Sequence, residues 1–222
     1  MKRSELNAII KDAEAFFAKH DFKLPPWAFW GPEQWKQIGP EHRELIENML
    51  GWDVTDFGMG NFDKQGLVLF TVRNGNLRRG DKPYAEKIMI VGEGQEAPYH
   101  FHWHKVEDII NRGGGRLVLE LAQSNQQEGL SEEPFSVQVD GVTHHYDGPG
   151  RLELAPGESV TLPQRLYHRF WGEGGKVLTG EVSAVNDDNT DNRFLDPVGR
   201  FPEVEEDEAP HRLLVSEYPS VP

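Results

Sequence analysis

Gly94-Gln95-Glu96-Ala97-Pro98-Tyr99-His100-Phe101-His102-Trp103-His104-Lys105-Val106-Glu107, closed by the run Gly113-Gly114-Gly115, is the stretch whose reading decides the fold. Residues i and i+2 of a strand project to one face of a sheet. His100 and His102 are therefore expected to point together, with Phe101 and Trp103 turned the other way into packing. Glu107 follows beyond a bend, and the glycine run is expected to turn the chain again. Paired imidazoles mark either a metal or a pH-sensitive cluster, and a His-x-His alone is commonplace on surface strands. A nearby carboxylate and a third histidine downstream, His168, favour the metal.

The second half of the pattern is Gly157-x5-Pro163-x4-His168. The loop Ala155-Pro156-Gly157-Glu158 turns the chain, Ser159–Leu162 reads as a strand, and Pro163 stops its pairing. Tyr167-His168-Arg169-Phe170-Trp171 then begins another strand.

Away from these motifs, Ser4 is placed to cap a helix ending near His20, with Leu6, Ile9, Ile10, Ala13, Phe16 and Phe17 as its apolar stripe. The Pro- and Trp-rich stretch Leu24-Pro25-Pro26-Trp27-Ala28-Phe29-Trp30-Gly31-Pro32 excludes regular helix. A second helix is predicted over 41–50, with Gly51 at its C-terminal turn. From Trp52 the signals are β: strands over 67–73, 84–91, 116–121, 135–139, 142–146 and 176–185, with hairpin turns at Asn74-Gly75 and Asp140-Gly141. The expectation is one domain over 1–222, all-β, with a helical decoration over 1–51 and a barrel and C-terminal tail over 52–222.

The 222 residues suffice for a sizeable core, and the absence of cysteine excludes disulfides, thiolate metal sites and cysteine nucleophiles. Met1-Lys2-Arg3-Ser4-Glu5 is not the start of a signal peptide, and no apolar run spans a membrane, so a cytoplasmic protein is expected. The formal charge of −14, from 37 acidic and 23 basic residues, argues against nucleic-acid or anionic-membrane partners and leaves neutral ligands open. Part of that charge sits in Glu203-Val204-Glu205-Glu206-Asp207-Glu208, expected to be a solvated segment.

The paired histidine motifs resemble those of the cupin superfamily, whose jelly-roll β-barrel (a double-stranded β-helix) carries a metal inside. The resemblance implies His100, His102, Glu107 and His168 as ligands. A frame using His102 and His104 puts the glycines out of step, which leaves His104 behind the ligands or at the surface. The second motif departs from the usual pattern, with Arg165 in place of a glycine and Gly172 in place of an asparagine.

The match extends further. Tyr84-Ala85-Glu86-Lys87-Ile88-Met89-Ile90-Val91, His100-Phe101-His102-Trp103, Glu107-Asp108-Ile109-Ile110-Asn111-Arg112-Gly113-Gly114-Gly115 and Gly180-Glu181-Val182-Ser183 resemble the bacterial D-lyxose isomerases, cupin ketol-isomerases, over nearly the whole chain. That implies conversion of D-lyxose to D-xylulose, with D-mannose and D-fructose as alternatives. It also implies a homodimer and a divalent cation: Mn2+ first, with Co2+, Mg2+, Ni2+, Zn2+ or Fe2+ as alternatives.

Carried over by position, Lys87 and Lys105 would hold sugar hydroxyls or donate a proton. His100 and Glu107 would border the sugar, and Asp191 would bond its tail. Glu181, alternating with apolar residues, would be the buried base. Asp187, Asp188 and Glu205 are weaker candidates. His20, His42, His144, His145 and His211 lack ligand spacing. Trp27, Trp30 and Trp35 are expected to pack rather than form a lid. The same four ligands would also serve an Fe2+ dioxygenase, and a sugar-binding cupin without turnover is the non-enzymatic reading.

Overall fold

The computed structural model describes residues 1–199 and 202–220. Helix α1 (Arg3–Lys19) buries Leu6, Ile10, Ala13 and Phe17 along one stripe, as the 3.6-residue period requires. Its start differs from expectation. Lys2 is the capping position, and its N–H donates to the Glu5 carboxylate at 2.7 Å. Ser4 lies inside the first turn, where its N–H and hydroxyl donate to Asp207 at 2.8 and 2.7 Å. Glu206 accepts from Arg3 and Glu208 from Asn7. The acidic tail is therefore not merely solvated: it closes the N-terminus of α1, where negative charge complements the helix dipole.

A 3-10 turn (Pro26–Phe29) and the single turn α2 (Pro32–Trp35) follow. The helix predicted over 41–50 shrinks to a 3-10 turn (Pro40–His42) and α3 (Arg43–Glu47). It stops because Met49 adopts a φ of 53°. The Leu50 N–H then reaches the Leu45 carbonyl (2.8 Å) and the Met49 N–H the Ile46 carbonyl (3.1 Å), a Schellman ending. Gly51 belongs instead to the first strand.

One antiparallel sheet contains β1 (Gly51–Thr55), β2 (Leu67–Arg73), β3 (Tyr84–Val91), β4 (Ala97–His102), β5 (Glu107–Ser124), β6 (Leu130–Ser131), β7 (Phe135–Val139), β8 (Val142–Tyr146), β9 (Gly150–Leu154), β10 (Ser159–Leu162), β11 (Leu166–Ala184) and β12 (Asn192–Phe194). The long strands β5 and β11 run side by side. The start of β11 pairs with β4 and its end with β3, while β5 meets β10 near its start and β9 further on. Each long strand thus passes from one wall of a β-barrel to the other.

The crossing needs a bend, and glycines supply it. Gly113 and Gly114 have φ of 148° and 94°, and a β-carbon on Gly114 would lie 2.2 Å from the Lys176 carbonyl oxygen. Facing them, Gly174 and Gly175 have φ of 72° and 125°, and the β5–β11 register shifts between Glu173 and Val177. The run Gly113-Gly114-Gly115 is therefore a bulge within a continuous strand rather than a turn. The strands expected at Tyr167 and over 176–185 are likewise one strand, β11.

The Asp140-Gly141 hairpin has the expected positive φ values, 49° and 82°. At Asn74-Gly75 the strands do pair, but the connection spans 74–83, because the buried Asn74 side chain is bonded elsewhere.

Inside the barrel Leu67, Met89, Val91, Leu117, Leu119 and Val177 form the main apolar core. Outside it, α1 covers Trp52, Val54, Phe70 and Ile88. Trp35 stacks on Tyr218 with centroids 3.9 Å apart, Trp30 meets Trp35 edge-on, and Trp27 packs on Phe70. These tryptophans pack. Among the described residues no helix is long and apolar enough to cross a membrane.

Candidate metal centre and catalytic cavity

A cavity of about 370 Å³ opens in the barrel, walled by β2, β3, β4, β5 and β11. Strand alternation puts His100 and His102 of β4 into it and leaves Phe101 and Trp103 behind, packed with Tyr167. His168 of β11 stands opposite His100 in register, with ring centroids 4.2 Å apart. The ligand atoms of the three histidines lie within 4.8 Å of one another.

Two of these rings are oriented from behind. His100 Nδ1 lies 2.9 Å from the Pro98 carbonyl and His168 Nδ1 3.0 Å from the Leu166 carbonyl. Each Nδ1–H donates to the backbone, which leaves a lone pair on Nε2. Glu107 Oε1 sits 3.2 Å from His102 Nε2 and 3.1 Å from His168 Nε2, yet none of these three buried atoms makes a hydrogen bond. Acceptors converging without a shared proton are costly unless a cation lies among them. Burial first, then the neighbouring imidazoles, pushes His100 well below its ordinary pKa. Burial also lowers His102. On Glu107 burial acts to raise the carboxyl, but Lys105 and His102 outweigh it and hold it well below the carboxylate range. Neutral imidazoles and an ionised carboxylate are the forms that ligate a divalent metal, so the residues fit one.

Beside this cluster lies a second group of charges. Lys105 Nζ donates to Glu107 Oε2 and to Glu181 Oε1, both at 2.8 Å. Lys87 faces Glu181 directly across β3 and β11, with Nζ 3.5 Å from Oε1. Ser183 Oγ donates to the same oxygen at 3.1 Å. Burial would raise Glu181, but Lys105 and then Lys87 overcome it and keep the carboxyl below its usual pKa. Burial would lower Lys105, but Glu107 and Glu181 hold its ammonium well above the ordinary lysine value.

The residues singled out from sequence divide clearly. His100, His102, His168, Glu107, Lys105, Lys87 and Glu181 come together, and Asp188 borders the same cavity. Asp191 does not line it. Its carboxylate accepts the backbone N–H groups of His104 (2.8 Å) and Lys105 (3.0 Å), so it shapes the turn that presents Lys105. Asp187 binds Thr190 and the Asn189 N–H within its own loop, and Glu205 pairs with the start of α1. His104 is exposed. None of His20, His42, His144, His145 and His211 joins the cluster.

Ser183 and Asn186 escaped the sequence reading. Ser183 was findable, two residues from Glu181 on the same strand face. Asn186 depends on a contact between distant segments. Arg165 explains its own irregularity: its φ is 60°, the region a glycine would favour, and its guanidinium lies 5.5 and 5.0 Å from the centroids of Phe101 and Trp103.

Residues 1–218 match a family model described as D-lyxose isomerase. The chain is 49% identical over 225 residues to a D-lyxose/D-mannose isomerase of Serratia proteamaculans, with 98% of each chain covered. It is 47% identical to one of Escherichia coli O157:H7, again with 98% of each covered. Among solved structures, an L-ribose isomerase of Cellulomonas parahominis superposes with a TM-score of 0.60 at 15% identity, covering 92% of this chain and 98% of that one. At that identity the likeness speaks for the barrel fold alone.

Proposed function

The chain belongs to the D-lyxose isomerase family, and from that premise we propose that this sugar isomerase interconverts D-lyxose and D-xylulose, with D-mannose and D-fructose as a second pair and Mn2+ as its preferred cation. The observation that carries the reading is that an ionised carboxylate, Glu181, shares one cavity with neutral imidazoles and Glu107. An aldose–ketose exchange needs a base that moves a proton between adjacent carbons and a centre that polarises their oxygens. His100, His102, His168 and Glu107 would hold the cation, which when bound supplies Lewis acidity to the sugar's carbonyl and hydroxyl oxygens.

Glu181 takes the proton from C2 of the aldose and returns it to C1, while the O2 hydroxyl proton passes to O1, so that C2 becomes the carbonyl and C1 the alcohol carbon. The Lys105, Lys87 and Ser183 contacts all fall on its Oε1, which leaves Oε2 for the carbon-bound proton. Its lowered pKa keeps it ionised and ready at neutral pH. Lys105, held above its ordinary value, keeps its own proton and balances the charge on Glu181. Lys87 donates to a sugar hydroxyl. Leu69, Met89 and Ile109 give the cavity an apolar wall that excludes water. A homodimer acting in the cytoplasm belongs to the same reading and is supported by the family resemblance.

Incubation of D-lyxose and D-mannose with the protein in D2O, with Mn2+ or after chelation by EDTA, tests it. The expected result is D-xylulose and D-fructose carrying deuterium at the carbon that receives the proton, with turnover abolished by EDTA and restored by Mn2+. No ketose from either sugar would sink the reading. Ketose free of deuterium after many turnovers would replace proton transfer with a hydride shift.

A further inference from the structure

Behind the two lysines lies an asparagine outside the cavity lining. Asn186 Oδ1 accepts from Lys87 Nζ at 2.6 Å and from Lys105 Nζ at 3.3 Å. It is a neutral acceptor shared by both ammonium groups, and it holds two like charges near a single carboxylate. With Glu107 and Glu181 it completes three acceptors for Lys105, as many as an ammonium has hydrogens.

Asn186 is itself gripped. Its N–H donates to Asn74 Oδ1 and its carbonyl accepts from Asn74 Nδ2, both at 3.0 Å. Asn74 is buried and exchanges bonds with the Asn48 backbone and side chain, its Nδ2 donating at 3.3 Å and its carbonyl accepting at 2.8 Å. A chain of amides therefore runs from the end of α3, through the β2–β3 connection, to the ammonium groups flanking Glu181.

We propose that Asn186, anchored by Asn74, is a positioning residue that fixes Lys87 and Lys105 on Glu181. This rests on the reading of Glu181 as the base. Without the shared oxygen, the two ammonium groups lose the acceptor that sets their separation, and Lys105 gains a hydrogen with no partner. The lysines would then turn from Glu181 toward other acceptors. Because the amide does not line the sugar cavity, its loss should act on turnover more than on sugar binding.

The test compares N186A, N186D and N74A as purified, metal-loaded proteins, with metal content and folded fraction measured for each. For N186A the expected result is a fall in kcat of ~10–100-fold with KM for D-lyxose within about threefold, at unchanged metal content. N186D keeps the acceptor oxygen and should recover most of that loss. N74A, one link further back, should lose less. A kcat for N186A within twofold of the parent, or a loss that tracks metal content or folded fraction, overturns the proposal. A crystal structure of N186A decides it independently of activity. Displaced Nζ atoms support it, and unmoved ones refute it, even if the parent protein turned over neither sugar.

Discussion

Arg3 and Lys105 are both buried cations set between two carboxylates, and only Lys105 lines the candidate site. The Arg3 side chain is 2% exposed, but its partners Glu206 and Glu217 remain 57% and 24% exposed. Lys105 is also 2% exposed, and its partners Glu107 and Glu181 are 2% and 5% exposed. At Arg3 the cation is buried while its counter-charges keep much of their hydration, and the arrangement fastens the tail to the first helix. At Lys105 cation and anions have all left water. The cost of that is large, and it persists only where the fold places a need above stability. The feature that separates a site from a clamp is therefore the burial of the partners, not of the cation.

One substitution made at both places would break or sharpen this comparison. Lys105→Met leaves Glu107 buried without its lysine and Glu181 with Lys87 alone. In metal-free protein it should cost about 3–5 kcal/mol, read by urea denaturation, and in the metal-loaded enzyme it should reduce isomerase turnover at least ~100-fold. Arg3→Met leaves carboxylates that can rehydrate. A loss of about 1–3 kcal/mol is expected there, from charged hydrogen bonds alone, with turnover per folded molecule unchanged. Equal costs at the two positions would show that partner burial does not set the scale.

The same contrast explains what was legible in the sequence. His100 and His102 could be read because strand alternation is local, and the strands at 67–73, 84–91, 135–139, 142–146 and 159–162 could be read because turn residues bound them. The union of Lys105 with Glu181 joins residues 76 apart and was reached only through family resemblance, while the Arg3–Glu206 pair, 203 apart, was missed. Glycine misled in a consistent way. Gly113 and Gly114 were expected to turn the chain, but the fold uses their positive φ, with that of Gly174 and Gly175 opposite, to bend strands that continue. Asp191 was expected to bond the sugar's tail because a loop acid beside a site is ambiguous until its donors are placed. In the fold its carboxylate accepts two backbone N–H groups.

A third cation extends the comparison to its weak limit, because rings rather than carboxylates hold it. Arg165 is half-buried over Phe101 and Trp103, on the reverse face of the strand that carries His100 and His102. Each such contact is worth about 0.5–1 kcal/mol. Against this stands the φ of 60°, which costs a residue with a β-carbon about 1–2 kcal/mol. Arg165→Ala loses the stacking and keeps the strain, so it should destabilise by about 1–2 kcal/mol. Arg165→Gly loses the stacking but releases the strain, at a cost of about 0.4–1 kcal/mol in unfolded-chain entropy. Its net effect should therefore stay within about 1 kcal/mol of the parent, a melting shift of no more than about 2–4 °C. The glycine variant should thus be more stable than the alanine variant, the reverse of their order at an ordinary strand position. Both keep the backbone bond from residue 165 to the His102 carbonyl, 2.9 Å in the parent, so metal content should not change. If alanine proved the more stable of the two, Arg165 would carry no backbone strain, and its departure from glycine would need a different cause.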